Sequence, residues 1–154
     1  MAHSTEHSLE VQLPFLQRLV PDFRFVPIAI GTDRFAAFED LGRAIADVVS
    51  REQDAGGEVL LIASSDMNHY ESDAITRVKD RKAIDKVLAL DARGLYDTVR
   101  GESISMCGYG PTTAMLVAAK QLGATRAELV KYATSGDVSG DYDRVVGYAG
   151  IVVS

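Results

Sequence analysis

In the stretch EVLLIASSDMNHY, residues 58–70, an apolar run is followed at once by hydroxyl, carboxylate, amide, imidazole and phenol groups. A short apolar run bounded by turn residues is typical of a buried strand. In open α/β sheets, ligands bind beyond the carboxyl ends of the strands. The stretch therefore predicts a strand over residues 58–63 with a functional loop at its end.

Helical and strand patterns alternate on both sides of this stretch, which predicts an α/β fold. Strand patterns also cover residues 23–30, 128–134 and 144–153. Helical patterns cover residues 4–20 with an interruption at Pro14, 33–52, 72–90, 91–100 with Asp91 as cap, and 111–122. The last two strands are joined by a short loop without a helix, so they are expected to pair antiparallel. We predict one domain over residues 1–154, with three αβα layers and a mixed sheet.

The composition excludes several classes of protein. The chain has 154 residues and a net charge of −6, which argues against sequence-independent binding of nucleic acid. The single cysteine cannot form an intrachain disulfide, and no apolar run approaches the length of a membrane span. A cytoplasmic protein is the expectation.

The loop at residues 64–70 holds the first candidate site. Asp66 and His69 are three residues apart, so the carboxylate and the imidazole can meet across one turn. A carboxylate beside an imidazole fixes its tautomer. The alternative is that residues 64–66 cap the following helix and that His69 is an ordinary polar loop residue.

Two further candidates lie at the boundaries of predicted helices. His3 and His7 are four residues apart, so on a helix they would share one face and could bind a transition metal. Cys107 precedes a glycine-rich turn and a helix N-terminus, where a thiolate is favoured. The alternatives are two histidines without function and a small buried cysteine.

Two chemical interpretations of these residues remain open. One is a mononuclear metal centre built from imidazole, carboxylate and thiolate. The other is a nucleophilic site in which Cys107 attacks and His69 acts as base, supported by Asp66.

Several separated motifs resemble the Memo family, also called AmmeMemoRadiSam system protein B. They are EHSLEVQLPFLQ at residues 6–17, IASSDMNHY at 62–70, MCGYGPT at 106–112, YATSGDVSGD at 132–141 and VVGYAGIVV at 145–153. The resemblance runs through the chain in order. It implies a fold similar to the LigB-like class III extradiol dioxygenases, which hold a non-haem iron.

The resemblance also implies roles for individual residues. His7 and Cys107 match metal ligands, and the thiolate in place of a carboxylate suits copper as well as iron. Asp66 and His69 match the neighbouring pair, with Asp66 orienting and His69 transferring protons. The reaction is unknown, and a dioxygenase-like, metal-dependent oxidoreductase is the form of enzyme that the resemblance suggests.

The chain resembles the C-terminal portion of a Memo protein, so an opening strand and a first histidine ligand are expected to be missing. Without that histidine, a monomer of this chain is expected to bind metal weakly or not at all, unless His3 substitutes as a ligand. The family implies a radical-SAM protein as partner. A small molecule or peptide is expected as the ligand of the cleft. A homo-oligomer formed through an exposed sheet edge is a further expectation. The competing functions are a cysteine-dependent hydrolase or transferase and a non-enzymatic binding protein.

Overall fold

The computed structural model describes residues 7–20 and 22–154. They belong to two compact units, one ending at Thr32 and the other running from Asp33 to Ser154. His3 lies outside the described residues, so its role as a substitute ligand stays a prediction. The single domain over residues 1–154 also stays a prediction.

The first unit contains one turn of 3-10 helix, Glu10–Gln12, which leads into helix α1, Leu13–Leu19. Pro14 lies in the first turn of α1, where the N–H that proline lacks would have no intrahelical partner. The predicted interruption at Pro14 is therefore confirmed within the described residues.

The strand predicted over residues 23–30 is wrong, because no strand is formed there. A strand exists through backbone hydrogen bonds to a neighbour, and this segment makes none with the described part of the chain. Most of its apolar side chains are exposed to solvent, and Val26 is 84% exposed.

The second unit contains five helices and three strands among its described elements. The helices are α2 (Phe35–Asp54), α3 (Asp73–Leu88), α4 (Ala92–Gly101), α5 (Tyr109–Gln121) and α6 (Gly136–Ser139). The strands are β1 (His69–Glu71), β2 (Ala127–Thr134) and β3 (Val145–Val153). The predicted helices and the last two strands are confirmed to within a few residues, and the α/β class is confirmed. No helix among the described residues combines the length and the apolarity needed to cross a bilayer.

Helices α2 and α5 pack closely because Gly42 has no side chain. A Cβ at Gly42 would lie 2.5 Å from the carbonyl oxygen of Ala114 and 2.7 Å from Cβ of Val117. Beside this contact, the ring of Phe38 meets the ring of Tyr109 edge-on at 5.9 Å. The contact holds the start of α5, and with it the turn that carries Cys107, against the helical layer.

The sheet is antiparallel throughout the described residues, in the order β1-β3-β2. Its central strand, β3, pairs antiparallel with β2 through Gly147 to Val153, as expected for the last two strands, while Val145 and Val146 pair with β1. The largest apolar cluster packs α3, α4 and α5 together and against the sheet, with Ile84, Leu95 and Leu116 almost fully buried.

The strand predicted over residues 58–63 is also wrong. Its backbone makes no hydrogen bond with the described chain, and Leu60 is 75% exposed. An all-apolar run is typical of a strand that is buried on both faces of a sheet. Such burial requires neighbouring strands, and none of the described strands pairs with residues 58–63. Among the described residues, the parallel part of the expected mixed sheet therefore does not form, while the polar loop that follows is hydrogen-bonded to β3.

Candidate metal-ligand site

Asp66, His69 and Cys107 form a compact group on the second unit. One potential ligand atom from each residue lies within 4.8 Å of the other two. The three side chains are neither fully buried nor fully solvated, because the side chain of His69 is 20% exposed and that of Asp66 is 50% exposed. Two loops far apart in sequence therefore meet at one accessible point.

The loop with Asp66 and His69 is attached to the central strand. The N–H of Met67 donates to the carbonyl of Gly147 at 2.9 Å, and the N–H of Gly147 donates to the carbonyl of Asn68 at 3.0 Å. His69 then opens β1 opposite Val146. This pairing gives the loop a fixed backbone although residues 58–63 form no strand.

Cys107 lies immediately before α5, with its thiol exposed. The N–H of Asp66 donates to Sγ of Cys107 at 3.2 Å, and the hydroxyl oxygen of Ser65 lies 3.9 Å from the same sulfur. Backbone donors and the N-terminal end of a helix both stabilise negative charge. The sulfur of Cys107 thus accepts a backbone hydrogen bond just before a helix, and a cysteine sulfur binds metals as the thiolate.

His69 and Asp66 approach each other as their spacing predicts. Nε2 of His69 lies 3.6 Å from Oδ2 of Asp66, close enough for an ion pair when the imidazole is protonated. This separation is longer than a normal hydrogen bond, so the carboxylate is not committed to the imidazole. Both groups can turn towards a shared ligand, and their roles in catalysis stay a prediction.

His7 belongs to the first unit. Its Nδ1 lies 2.9 Å from Oε2 of Glu10, and its side chain is 74% exposed. The pairing with a carboxylate is one that metal-binding histidines often show, since it fixes the free nitrogen as the acceptor. The ligand role that the family resemblance implies for His7 stays a prediction.

Sequence reasoning missed the polar network behind this group. Asn68 is fully buried, and its Oδ1 accepts from both the N–H and the hydroxyl of Ser105 at 3.1 Å. The N–H of Asn68 donates to Oδ1 of Asp80 at 2.8 Å, and the hydroxyl of Tyr132 donates to Oδ2 of Asp80 at 2.7 Å. Burial raises the pKa of Asp80, and these two hydrogen bonds oppose the shift. The only signal in the sequence is that Ser105 and Asn68 lie inside the two polar stretches.

Aromatic residues stand beside the group. Tyr70 has a positive φ of 61°, which is strained for a bulky residue, and Arg144 lies 5.6 Å from the centre of its ring. Burial raises the pKa of Tyr148, and the charges of Asp66 and Tyr70 raise it further. The Tyr148 phenol therefore stays protonated at neutral pH, within range of the charge of Asp66.

The fold and the site together define an α/β protein with a candidate metal-ligand group of one thiolate, one imidazole and one carboxylate. The family described as Memo-like protein matches residues 1–152. The chain belongs to the Memo-like family, which confirms the resemblance found in the sequence.

Similar proteins are found in archaea. A MEMO1 family protein of Methanopyrus kandleri is 49% identical over 152 residues, covering 98% of this chain and 53% of the relative. A MEMO1 family protein of Methanosarcina mazei is 48% identical over 154 residues, covering 99% of this chain and 57% of the relative. One of Saccharolobus solfataricus is 48% identical over 148 residues, covering 96% and 51%. The chain thus spans about half the length of the curated relatives it matches.

Proposed function

We propose that this chain binds a redox-active metal ion, iron or copper, through Cys107, His69 and Asp66. The observation that carries the proposal is the convergence of one sulfur, one nitrogen and one oxygen ligand atom within 4.8 Å. The reaction of the intact site is proposed to be an oxidation or oxygenation of the dioxygenase-like type that the family resemblance suggests.

The donor set fits a single transition-metal ion. Ligand bonds of about 2.0–2.3 Å place the donor atoms of one ion no more than about 4.6 Å apart. The observed limit of 4.8 Å is close to this value, and the half-exposed carboxylate of Asp66 can close the difference by rotation. Thiolate with imidazole favours copper, zinc or iron over magnesium or calcium.

Each residue has a distinct task in this proposal. Cys107 supplies negative charge, which the N–H of Asp66 holds in place at 3.2 Å. His69 supplies a neutral nitrogen, and Asp66 supplies a carboxylate that reaches the imidazole at 3.6 Å. A bound iron or copper ion would supply a change of oxidation state beside the remaining open positions.

His7 is proposed as a further ligand, on the strength of the family resemblance alone. Its exposed imidazole is paired with the carboxylate of Glu10 at 2.9 Å, as metal-binding histidines often are. The association with a radical-SAM protein stays an expectation of the same resemblance, and the small-molecule or peptide ligand of the cleft stays a prediction.

Metal affinities separate ligands from proton-transfer groups. Dissociation constants for Fe(II), Cu(I) and Zn(II) are to be measured on the wild type and on Cys107→Ala, His69→Ala, Asp66→Asn and His7→Ala. If His69 and Asp66 are ligands, both substitutions weaken binding. If they only transfer protons, affinity stays at the wild-type level in both variants. Wild-type protein that binds none of the three ions contradicts the proposal.

A cysteine-dependent hydrolase or transferase is the second candidate. It is favoured by the exposure of the Cys107 thiol and by a nitrogen of His69 within 4.8 Å of it. Metal-free alkylation of Cys107 by iodoacetamide tests it. A fast reaction that slows strongly in His69→Ala supports a cysteine nucleophile with a histidine base, whereas an equal rate in both proteins rejects it.

A further inference from the structure

We propose that Ser65 and Ser105 are positioning residues that hold Cys107 beside Asp66 and His69. This inference rests on the proposed metal function and deepens it. Neither serine belongs to the ligand group, and each acts through hydrogen bonds between the two loops. Together they bracket the cysteine, since one contact lies before it in the sequence and the other after it.

Ser105 makes the contact before the cysteine. The N–H of His69 donates to Oγ of Ser105 at 2.7 Å. The N–H and the hydroxyl of Ser105 both point to Oδ1 of Asn68 at 3.1 Å. A single serine therefore joins the backbone of His69 to the chain two residues before Cys107.

The anchor of this contact is fixed, because both the side chain and the backbone of Asn68 are hydrogen-bonded. Its Nδ2 donates to Oε2 of Glu71 at 2.7 Å, and its backbone N–H donates to Asp80 at 2.8 Å. Asn68 is 0% exposed, so breaking these bonds would leave polar groups without water. Ser105 is thus tied to a fixed point of the interior rather than to a mobile surface side chain.

Ser65 makes the contact after the cysteine. The N–H of Gly108 donates to Oγ of Ser65 at 2.8 Å, and the same hydroxyl donates to the carbonyl of Asp66 at 2.6 Å. A Cβ on Gly108 would run into the carbonyl oxygen of Ser64 and the Cβ of Ser65. The close approach of the two loops therefore requires glycine at 108, and the hydroxyl of Ser65 bonds the loops at that point.

The two contacts leave Cys107 little freedom along the chain. Its sulfur lies where the N–H of Asp66 can reach it at 3.2 Å, although neither serine bonds to that N–H. The hydrogen exchange rate of the Asp66 amide therefore depends on whether the sulfur of Cys107 stays within hydrogen-bond distance. If the serines hold the sulfur in place, their loss must weaken a hydrogen bond that they do not themselves make.

The test is amide hydrogen exchange of Asp66 in metal-free protein, measured by NMR. We expect Ser65→Ala and Ser105→Ala each to raise the exchange rate of the Asp66 amide about 5-fold, the effect of losing one typical hydrogen bond. Cys107→Ala gives the rate without the sulfur. Ser65→Thr and Ser105→Thr keep the hydroxyl and should restore protection.

The same variants are then titrated with Zn(II). Loss of groups that orient ligands typically costs about 10-fold or more in metal affinity, so both alanine variants should bind correspondingly more weakly. Ser139→Ala is the matched control, since it also removes a serine acceptor of a backbone N–H, that of Asp141 at 3.1 Å. It should change neither readout.

The outcomes separate this inference from the proposed function. Wild-type exchange at Asp66 in both alanine variants overturns the positioning role, whether or not metal binds. Raised exchange at Asp66 with a wild type that binds no metal supports the serine contacts and contradicts the metal function. If an alanine variant does not fold, its threonine counterpart is compared with the wild type instead. A threonine variant that keeps the hydroxyl but exchanges its Asp66 amide faster than the wild type overturns the role.

Discussion

The N–H of Asp66 donates a hydrogen bond to Sγ of Cys107 across 3.2 Å, although the residues lie 41 positions apart. This bond joins the loop before β1 to the turn before α5. Asp66 therefore has two separate roles, one for its backbone and one for its side chain. The backbone holds the sulfur, while the carboxylate is free to act as a ligand beside His69.

Asp66→Asn separates these two parts. The backbone N–H remains, but the amide is a much weaker ligand than the carboxylate. We expect metal affinity to fall about 10-fold or more. The free energy of unfolding should change by less than about 0.5 kcal/mol, because the side chain is half-exposed. Calorimetric titration and urea unfolding measure the two effects, and a large loss of stability with unchanged affinity would oppose this division of roles.

Gly147→Ala should destabilise the fold by about 1–3 kcal/mol, the usual cost of overpacking. A Cβ there would run into Oδ2 of Asp80 and lie 3.1 Å from Cβ of Met67. Gly150→Ala is the matched control on the same strand, since a Cβ at that position meets nothing within 4 Å. Urea unfolding compares the two variants. Equal stabilities would mean that Asp80 and its neighbours adapt to the added methyl group.

Leu60→Ser should change the free energy of unfolding by less than about 0.5 kcal/mol, in spite of its strand-like sequence. The reason is that Leu60 is 75% exposed, in a segment whose backbone makes no hydrogen bond to residues 7–20 or 22–154. Leu95→Ala provides the contrast, because Leu95 is fully buried and should cost about 2–5 kcal/mol. Thermal and urea unfolding of both variants test this. A strong loss of stability in Leu60→Ser would show that residues 58–63 are packed in solution.

Asp137 should stabilise the protein in a pH-dependent way. The N–H of Thr134 and the guanidinium of Arg77 hold the pKa of Asp137 below its ordinary value. A carboxylate with a lowered folded pKa contributes stability above the unfolded value of about 3.9 and loses it as the pH falls through the folded pKa. Asp137→Asn should therefore lower the urea midpoint at neutral pH, with a difference that shrinks towards about pH 2.

The control for this prediction is Asp97→Asn, which breaks an exposed ion pair with Arg93 within one helix. Such pairs contribute little, so the control should shift the urea midpoint less than Asp137→Asn does. A difference for Asp137→Asn that grows as the pH falls would contradict the account, because it would require the aspartate to be destabilising when charged.

The sequence predicted helices better than strands, for a physical reason. A helix closes its hydrogen bonds within one segment, so an amphipathic pattern such as that of α2 is nearly sufficient. Segment 58–63 has the apolar character of a strand, but a strand also needs neighbours that a local pattern does not reveal. Strands β2 and β3 were predictable because each supplies the neighbour of the other.

The site was predictable in part. The family resemblance pointed to Asp66, His69 and Cys107, and the structure brings their ligand atoms together. The supporting bonds of Ser65 and Ser105 were not predictable, because each joins groups more than 30 positions apart, such as His69 with Ser105. The spacing of residues along the chain does not predict such contacts.

The most direct test of the metal site is a titration of metal-free protein with Co(II), followed by the absorption band that a thiolate ligand gives to cobalt. The account predicts one ion per chain, a thiolate band that disappears in Cys107→Ser, and weaker binding in His69→Ala. Absence of binding by folded wild-type protein, or a spectrum unchanged in Cys107→Ser, would contradict a metal site built on Cys107.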